Sequence, residues 1–242
     1  MTRTADGAIV VGLFGSSPEG GPCRDAAELR RLLAGLGLRA EEIDHPLAAR
    51  CADAVVSLPY ARPAAADIAS RLGARLVETG LPFGIAGTTR WIEEVAAATG
   101  CAQRAAAFVS SELDDLIPRV EPAIAHVLRG RSAAFVGEPC FLEGWRGLGT
   151  EIGLRLDAAD GGADMRARWE SLRERGTDLL IAPGDVLAVA CPGAAGVEFD
   201  FPSRRRCSLR DAPYLGYRGA AVLLERLANA VERSEGERCR RS

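Results

Sequence analysis

Apolar residues along this chain fall into two patterns. Short continuous runs occur at 7–15 (GAIVVGLFG, rich in β-branched residues), 52–58 (ADAVVSL), 130–137 (GRSAAFVG) and 178–182 (DLLIA). Such runs predict strands buried on both faces of a parallel sheet. Between them, apolar positions recur at helical spacing, as with Leu29, Leu32, Leu33 and Leu36 among arginines and glutamates. The spacing predicts helices over 25–36, 63–72, 88–99, 142–153, 165–175 and 219–232, with shorter strands at 38–44, 75–78, 154–157 and 197–199. Gly37 ends the first helix, Pro63 opens the second and Thr88 caps the third. Residues 111–128 are helical in pattern but interrupted by Pro118 and Pro122, which makes them a connector. The run 186–190 is apolar without a clear period.

Strand and helix alternate throughout, the signature of an α/β layer fold. The order repeats. The same interval separates Gly12 from Gly137, which close the first strand of each half, and Asp53 from Asp178, which open a later one. Leu36-Gly37-Leu38-Arg39 has a counterpart in Ile152-Gly153-Leu154-Arg155. The expectation is two Rossmann-like domains with parallel sheets flanked by helices. They are residues 1–110, followed by a connector helix 111–129, and residues 130–242 with a C-terminal helix that returns.

Composition narrows the chemistry. A length of 242 residues suits one large domain or two small ones. All 30 basic side chains are arginine, so a Walker A lysine and a Schiff-base lysine are excluded. The net charge of −3 argues against a nucleic-acid-binding surface that covers the whole protein. No apolar stretch approaches the ~18 residues of a membrane span. Only His45 and His126 are present, too few for a histidine-rich metal site. The seven cysteines (Cys23, Cys51, Cys101, Cys140, Cys191, Cys207, Cys239) are widely spaced and form no C-x-x-C, which predicts reduced thiols and a cytoplasmic protein.

In open α/β sheets, ligands bind beyond the carboxyl ends of the strands. That edge holds the loops after Gly12, Leu58, Gly137 and Ala182, and with them Tyr60, Gly137 and Glu138. The Gly12–Gly15 turn carries Val10 where a dinucleotide fingerprint needs its first glycine, so a plain strand-closing loop is the better reading. Arg204, Arg205 and Arg206 are adjacent; they suit a carboxylate- or phosphate-bearing ligand, or else form a solvated loop. Cys207 beside them has the setting of a lowered thiol pKa, and Cys140 follows Gly137-Glu138-Pro139 at a helix start that also favours a thiolate. Both are metal-ligand candidates, although Cys140 also reads as a small residue in a tight turn. Cys51, Cys101 and Cys191 read as small apolar fillers, and Trp91, Trp145 and Trp169 as residues packed on the sheets.

Three segments carry a resemblance. Pro82-Phe83-Gly84-Ile85-Ala86-Gly87-Thr88, with Thr99-Gly100 beyond it, is similar to a P-x-G-x-x-x-T loop, helix and T-G. Phe201-Pro202 and Pro213-Tyr214-Leu215-Gly216-Tyr217-Arg218-Gly219-Ala220 resemble a closing F-P … P-x-x-G-Y/F-x-G-A segment, and Gly137-Glu138-Pro139 resembles a G-D-P turn. These belong to nitrogenase component 1 and its relatives, the cofactor-assembly scaffolds and the dark-operative protochlorophyllide and chlorophyllide reductases; the likeness is nearer the β-type subunits. It corresponds to the second and third domains of a family subunit. The resemblance places most ligands of the shared iron–sulfur cluster in a first domain, and none of the seven cysteines can be assigned to them.

The resemblance implies a reductase subunit that has no cofactor from this chain alone. It would share an iron–sulfur cluster or metal cofactor with another nitrogenase-like subunit and take electrons from an ATP-dependent iron-protein-type reductase. A tetrapyrrole or similar molecule would be the substrate, with neither nucleic acid nor membrane as partner. The alternative is a non-catalytic binding or scaffold protein for a metal cofactor or tetrapyrrole, with Arg204 to Cys207 lining its cleft. A nucleotide-dependent Rossmann enzyme is a third reading, opposed by the incomplete glycine fingerprint.

Overall fold

The computed structural model describes residues 10–14, 24–43, 51–158, 165–174, 176–190, 196–199 and 212–241. The chain forms two compact units, one of Met1–Asp115 with Ala212–Gly219 and one of Leu116–Asp211 with Ala220–Ser242.

In the first unit, β1 (Val10–Phe14), β2 (Arg39–Ile43), β3 (Ala54–Ser57) and β4 (Arg75–Glu78) form a parallel sheet in the order β2-β1-β3-β4. Val11 pairs with Ala54 and with Ala40. Every residue of β3 is buried, whereas β4, at the edge, is mostly exposed. This difference is why the central strand reads as an unbroken apolar run. α1 (Arg24–Gly35) and the turn that follows it bury Leu29, Leu32, Leu33 and Leu36 completely. α2 (Arg62–Leu72) lays Ala65, Ile68 and Ala69 against Val55.

The second unit repeats the plan. β5 (Ser132–Phe135), β6 (Arg155–Ala158), β7 (Leu179–Ala182) and β8 (Gly196–Glu198) run parallel in the order β6-β5-β7-β8. α5 (Pro139–Ile152) and α6 (Met165–Glu174) supply Trp145 and Trp169 to its core. The Trp145 ring meets Phe199 edge-on at 5.3 Å, and Phe141 meets Phe199 at 5.2 Å. Trp91, on α3 (Gly84–Thr99), is likewise buried in the first unit.

The matched Leu-Gly-Leu-Arg and Ile-Gly-Leu-Arg segments have one physical cause. Gly37 and Gly153 take positive φ, +71° and +72°. The next amide turns back into the helix, Leu38 N–H to Leu33 O and Leu154 N–H to Gly149 O. This is a glycine C-cap, and in both units the chain then enters the edge strand, β2 or β6.

Four expectations need correction. α3 begins at Gly84, not at a threonine cap: Thr88 lies inside the helix and donates its hydroxyl to Gly84 O at 2.5 Å and Pro82 O at 3.3 Å. The prolines do not interrupt the connector. α4 runs unbroken over Ala102–Ala123 because Pro118 and Pro122 lie on its exposed side, and it widens into a π-helical turn, Ile124–Leu128, closed by Arg129 N–H to Ile124 O. The run 186–190 belongs to a short helix, α7 (Gly184–Ala190). The last helix, α8 (Gly216–Arg241), is longer at both ends than its period predicts.

Two glycines on helices separate packing from propensity. A Cβ at Gly219 would stand 2.4 Å from the Tyr214 carbonyl carbon, whereas one at Gly147 would meet nothing within 4 Å. Gly219→Ala therefore destabilises by about 2–3 kcal/mol, and Gly147→Ala stabilises by about 0.5–1 kcal/mol. Urea unfolding of the two variants reads this as midpoint shifts of opposite sign.

Candidate functional site

In each unit the strand order reverses between the two central strands, β1 and β3 or β5 and β7. The crevice beyond their carboxyl ends is the favoured ligand position of such sheets.

In the first unit β3 ends at Ser57, whose carbonyl accepts the Thr79 N–H at 3.2 Å and the Thr79 hydroxyl at 3.1 Å. A single 3-10 turn, Pro59–Ala61, follows and carries Tyr60, half-buried with its hydroxyl oxygen enclosed. In the second unit β5 leads through Val136 into Gly137-Glu138-Pro139. Gly137 and Glu138 are exposed. A Cβ at Gly137 would strike the Phe135 ring at 2.6 Å, so the glycine is there to let that ring fold over the strand end. Glu138 is the N-cap residue of α5 without a side-chain capping bond, and Pro139 takes the first turn, where a missing N–H costs nothing. At the end of β7, Asp185 Oδ1 accepts the Val186 N–H at 2.9 Å.

Gly137, Glu138 and Cys140 are thus brought together at one strand end, and Tyr60 lies at the corresponding edge of the other unit. Arg204, Arg205, Arg206 and Cys207 lie outside the described residues. The expectation of a thiolate at Cys140 is corrected. Burial pushes its thiol pKa up, the Glu138 carboxylate adds to that, and hydrogen bonds from the backbone offset only part. Cys51 is exposed rather than a core filler, and Cys101 is half-buried with Sγ 3.0 Å from the Thr99 hydroxyl. Among the described residues no group of three or more His, Cys, Asp or Glu could hold a metal ion. These residues do not fit an iron–sulfur cluster.

The most concentrated polar chemistry is elsewhere, in a cluster the sequence reading missed. Asp25 and Glu28 on α1 are buried, 1% and 3% exposed. Asp25 Oδ1 accepts the N–H of Tyr214 at 2.7 Å and of Leu215 at 2.9 Å, and Glu28 Oε1 accepts that of Arg218 at 3.3 Å. Arg31 binds Glu28 and Glu112 through paired hydrogen bonds of 2.7–2.8 Å, which raise its pKa further. Gly216 N–H donates to Pro82 O at 2.8 Å, and the Tyr217 and Thr89 hydroxyls are 2.8 Å apart. The P-x-G-x-x-x-T loop and the P-x-x-G-Y-x-G-A segment therefore meet each other inside the first unit. They act as a clamp that holds the start of α8. In the second unit, at the opposite edge of the sheet, Asp178 Oδ2 accepts the Ser132 N–H at 3.0 Å, and the Arg131 guanidinium is shared between Asp178 and Glu235.

Two doubly wound parallel sheets, ligand edges at their switch points and a clamp built from the two signature segments define a Rossmann-type α/β protein. The chain belongs to the nitrogenase component 1 type oxidoreductase family, whose model matches residues 8–175. Among solved structures it is similar to nitrogenase Cp1 at pH 6.5, with TM-score 0.74 and 18% identity over 96% of this chain and 62% of that one. Nitrogenase Cp1 at pH 5 gives 0.70 and 13% over 96% and 57%. The chain thus spans about three-fifths of these nitrogenase chains. ZnuA is also similar, with TM-score 0.56 and 13% identity over 93% of this chain and 99% of that one. At these identities the likenesses show the fold. No curated protein matches the chain by sequence.

Three outcomes follow from this geometry. Asp25→Ala strands two amides and costs roughly 2–3 kcal/mol, while Asp25→Asn keeps an acceptor and costs about half as much, read by denaturant unfolding. Burial raises the Tyr217 pKa above its ordinary 10. Its stabilising contribution is therefore complete below the unfolded tyrosine pKa and is lost as pH rises through the folded one. Tyr217→Phe removes that part of the alkaline decline in melting temperature. Iodoacetamide at pH 8 alkylates Cys51 faster than Cys140 in peptide-resolved mass spectrometry, because Cys51 is exposed whereas Cys140 is half-buried with its thiol pKa raised.

Proposed function

We propose that this chain is a subunit of a nitrogenase component 1-like reductase whose iron–sulfur cluster is held by a partner chain. The family match over residues 8–175 carries the reading. The placement of Tyr60, Gly137 and Glu138 at strand carboxyl edges supports a binding role for those edges. In this reading the chain's own part is to bind and orient substrate. An acidic substrate, such as a propionate-bearing tetrapyrrole, suits the guanidiniums of Arg204, Arg205 and Arg206, each able to form paired hydrogen bonds with a carboxylate. Electrons come from a separate iron-protein-type reductase.

A second reading has one observation of its own. The similar structures include a ZnuA deletion mutant plus zinc bound and a Mn-bound periplasmic metal binding protein from candidatus liberibacter asiaticus. A non-catalytic carrier or scaffold for a metal cofactor or tetrapyrrole uses the same fold without electron transfer.

Anaerobic affinity purification from the native host separates the two, with iron and acid-labile sulfide assayed on the eluate. The reductase reading predicts both, in a stable complex with a cysteine-bearing partner. An iron-free chain that purifies alone contradicts it and leaves the carrier reading.

A further inference from the structure

The second unit has a groove that no reading so far uses. It measures about 490 Å³ and runs between the C-terminal part of α4, with its π-helical turn, and α8. Its floor is small and apolar: Val120, Ala123 and Val127 from one side, Ala221, Leu224 and Ala228 from the other. Along α8 the lining runs from Ala221 to Glu232, about 16 Å or three turns at 1.5 Å per residue. An elongated groove of that length, shallow and floored with alanines, fits the face of a helix.

The rim fixes the occupant's charge. On the α8 side stand Glu225, Asn229 and Glu232, all exposed, spaced so that they share one helix face. Neither glutamate forms an ion pair among the described residues. On the α4 side Pro122 lines the groove and has no N–H to give the carbonyl of Pro118, one turn earlier, so that oxygen loses its helical donor. Arg119, on the same side, has an interaction of its own within the chain. The α8 flank thus offers two carboxylates and an amide along three turns.

We propose that this groove docks an amphipathic helix of a partner protein. That helix presents Ala and Leu at i, i+3, i+4 and i+7 to the floor, and arginines along the flank that faces α8. This inference is independent of whether the complex carries out redox chemistry. The two acidic side chains supply specificity and salt sensitivity, and the apolar floor, half of whose side chains are already buried, adds to the attraction.

The test uses the full chain and three fluorescein-labelled 18-residue helical peptides: an Ala/Leu-faced peptide with arginine on one flank, the same with glutamate on that flank, and a scramble of the first. Fluorescence anisotropy is measured at 50 and 300 mM salt, with hydrogen–deuterium exchange of the bound chain. The arginine peptide binds, at least tenfold tighter than the glutamate peptide or the scramble. Its affinity falls at high salt, and added protection is confined to 119–127 and 221–232. Glu225→Arg with Glu232→Arg, both exposed and off the core, weakens it at least tenfold with an unchanged melting temperature. Val127→Gln weakens the arginine peptide at either salt. Absence of binding, equal binding of the three peptides, protection elsewhere, or indifference to the charge reversal overturns the proposal.

Discussion

Two buried carboxylates hold the first unit closed. Asp25 and Glu28 leave water on α1 and are met by the amides of Tyr214, Leu215 and Arg218 at the start of α8. A helix start offers unpaired N–H groups and the positive end of its dipole, so anions are favoured there. Burying a carboxylate is costly unless it is fully hydrogen-bonded. Here the cost is offset by backbone donors and by Arg31, which in turn ties Glu28 to Glu112 on α4. Residues almost two hundred positions apart are joined, and a unit built mostly from the first half of the chain includes a segment near its end. Other features follow from that junction. Gly216 needs its φ of +77° and has Glu28 where a Cβ would be, and Gly219 gives way to the Tyr214 carbonyl.

The junction changes what the signature residues mean for function. Pro82, Gly216 and Tyr217 belong to the segments that carry the family resemblance, and among the described residues they bind one another and Thr89. Their presence speaks for the family fold, and the reaction has to be argued from other residues. Fold does not fix function. In the proposed reading the chemistry belongs to the strand carboxyl edges, to Arg204, Arg205 and Arg206 and to whatever a partner contributes. Of the three cysteines whose side chains are described, Cys51 is exposed, Cys101 bonds a threonine, and burial raises the thiol pKa of Cys140.

The central strands were legible because each is buried on both faces, leaving a continuous apolar run with no competing period. The C-cap at Gly37 was legible because a left-handed helix end demands glycine, and the matched segment around Gly153 repeats it. The start of α3 was not, since Thr88 has the composition of a cap but lies inside the helix and spends its hydroxyl on the carbonyls of Gly84 and Pro82. The continuity of α4 was hidden because a proline tells sequence reasoning that a donor is missing, without telling whether that face is solvated. Asp25 and Glu28 were invisible for a different reason. Flanking the leucines of α1, they have the pattern of a solvated face, and only the distant segment that packs on them makes them interior. Cys140 shows the limit of a local rule: the helix start favours a thiolate, but burial outweighs it. The arginine loop lies outside the described residues and stands as read from sequence.

The account rests on the claim that an iron–sulfur cluster, where one operates with this chain, is ligated by another chain. Anaerobic reconstitution of the purified chain with ferrous iron and sulfide, followed by desalting and electron paramagnetic resonance of the reduced sample, tests it most directly. The account predicts no cluster retained by the chain alone. A stoichiometric cluster that survives desalting and is lost on replacing this chain's own cysteines would contradict it.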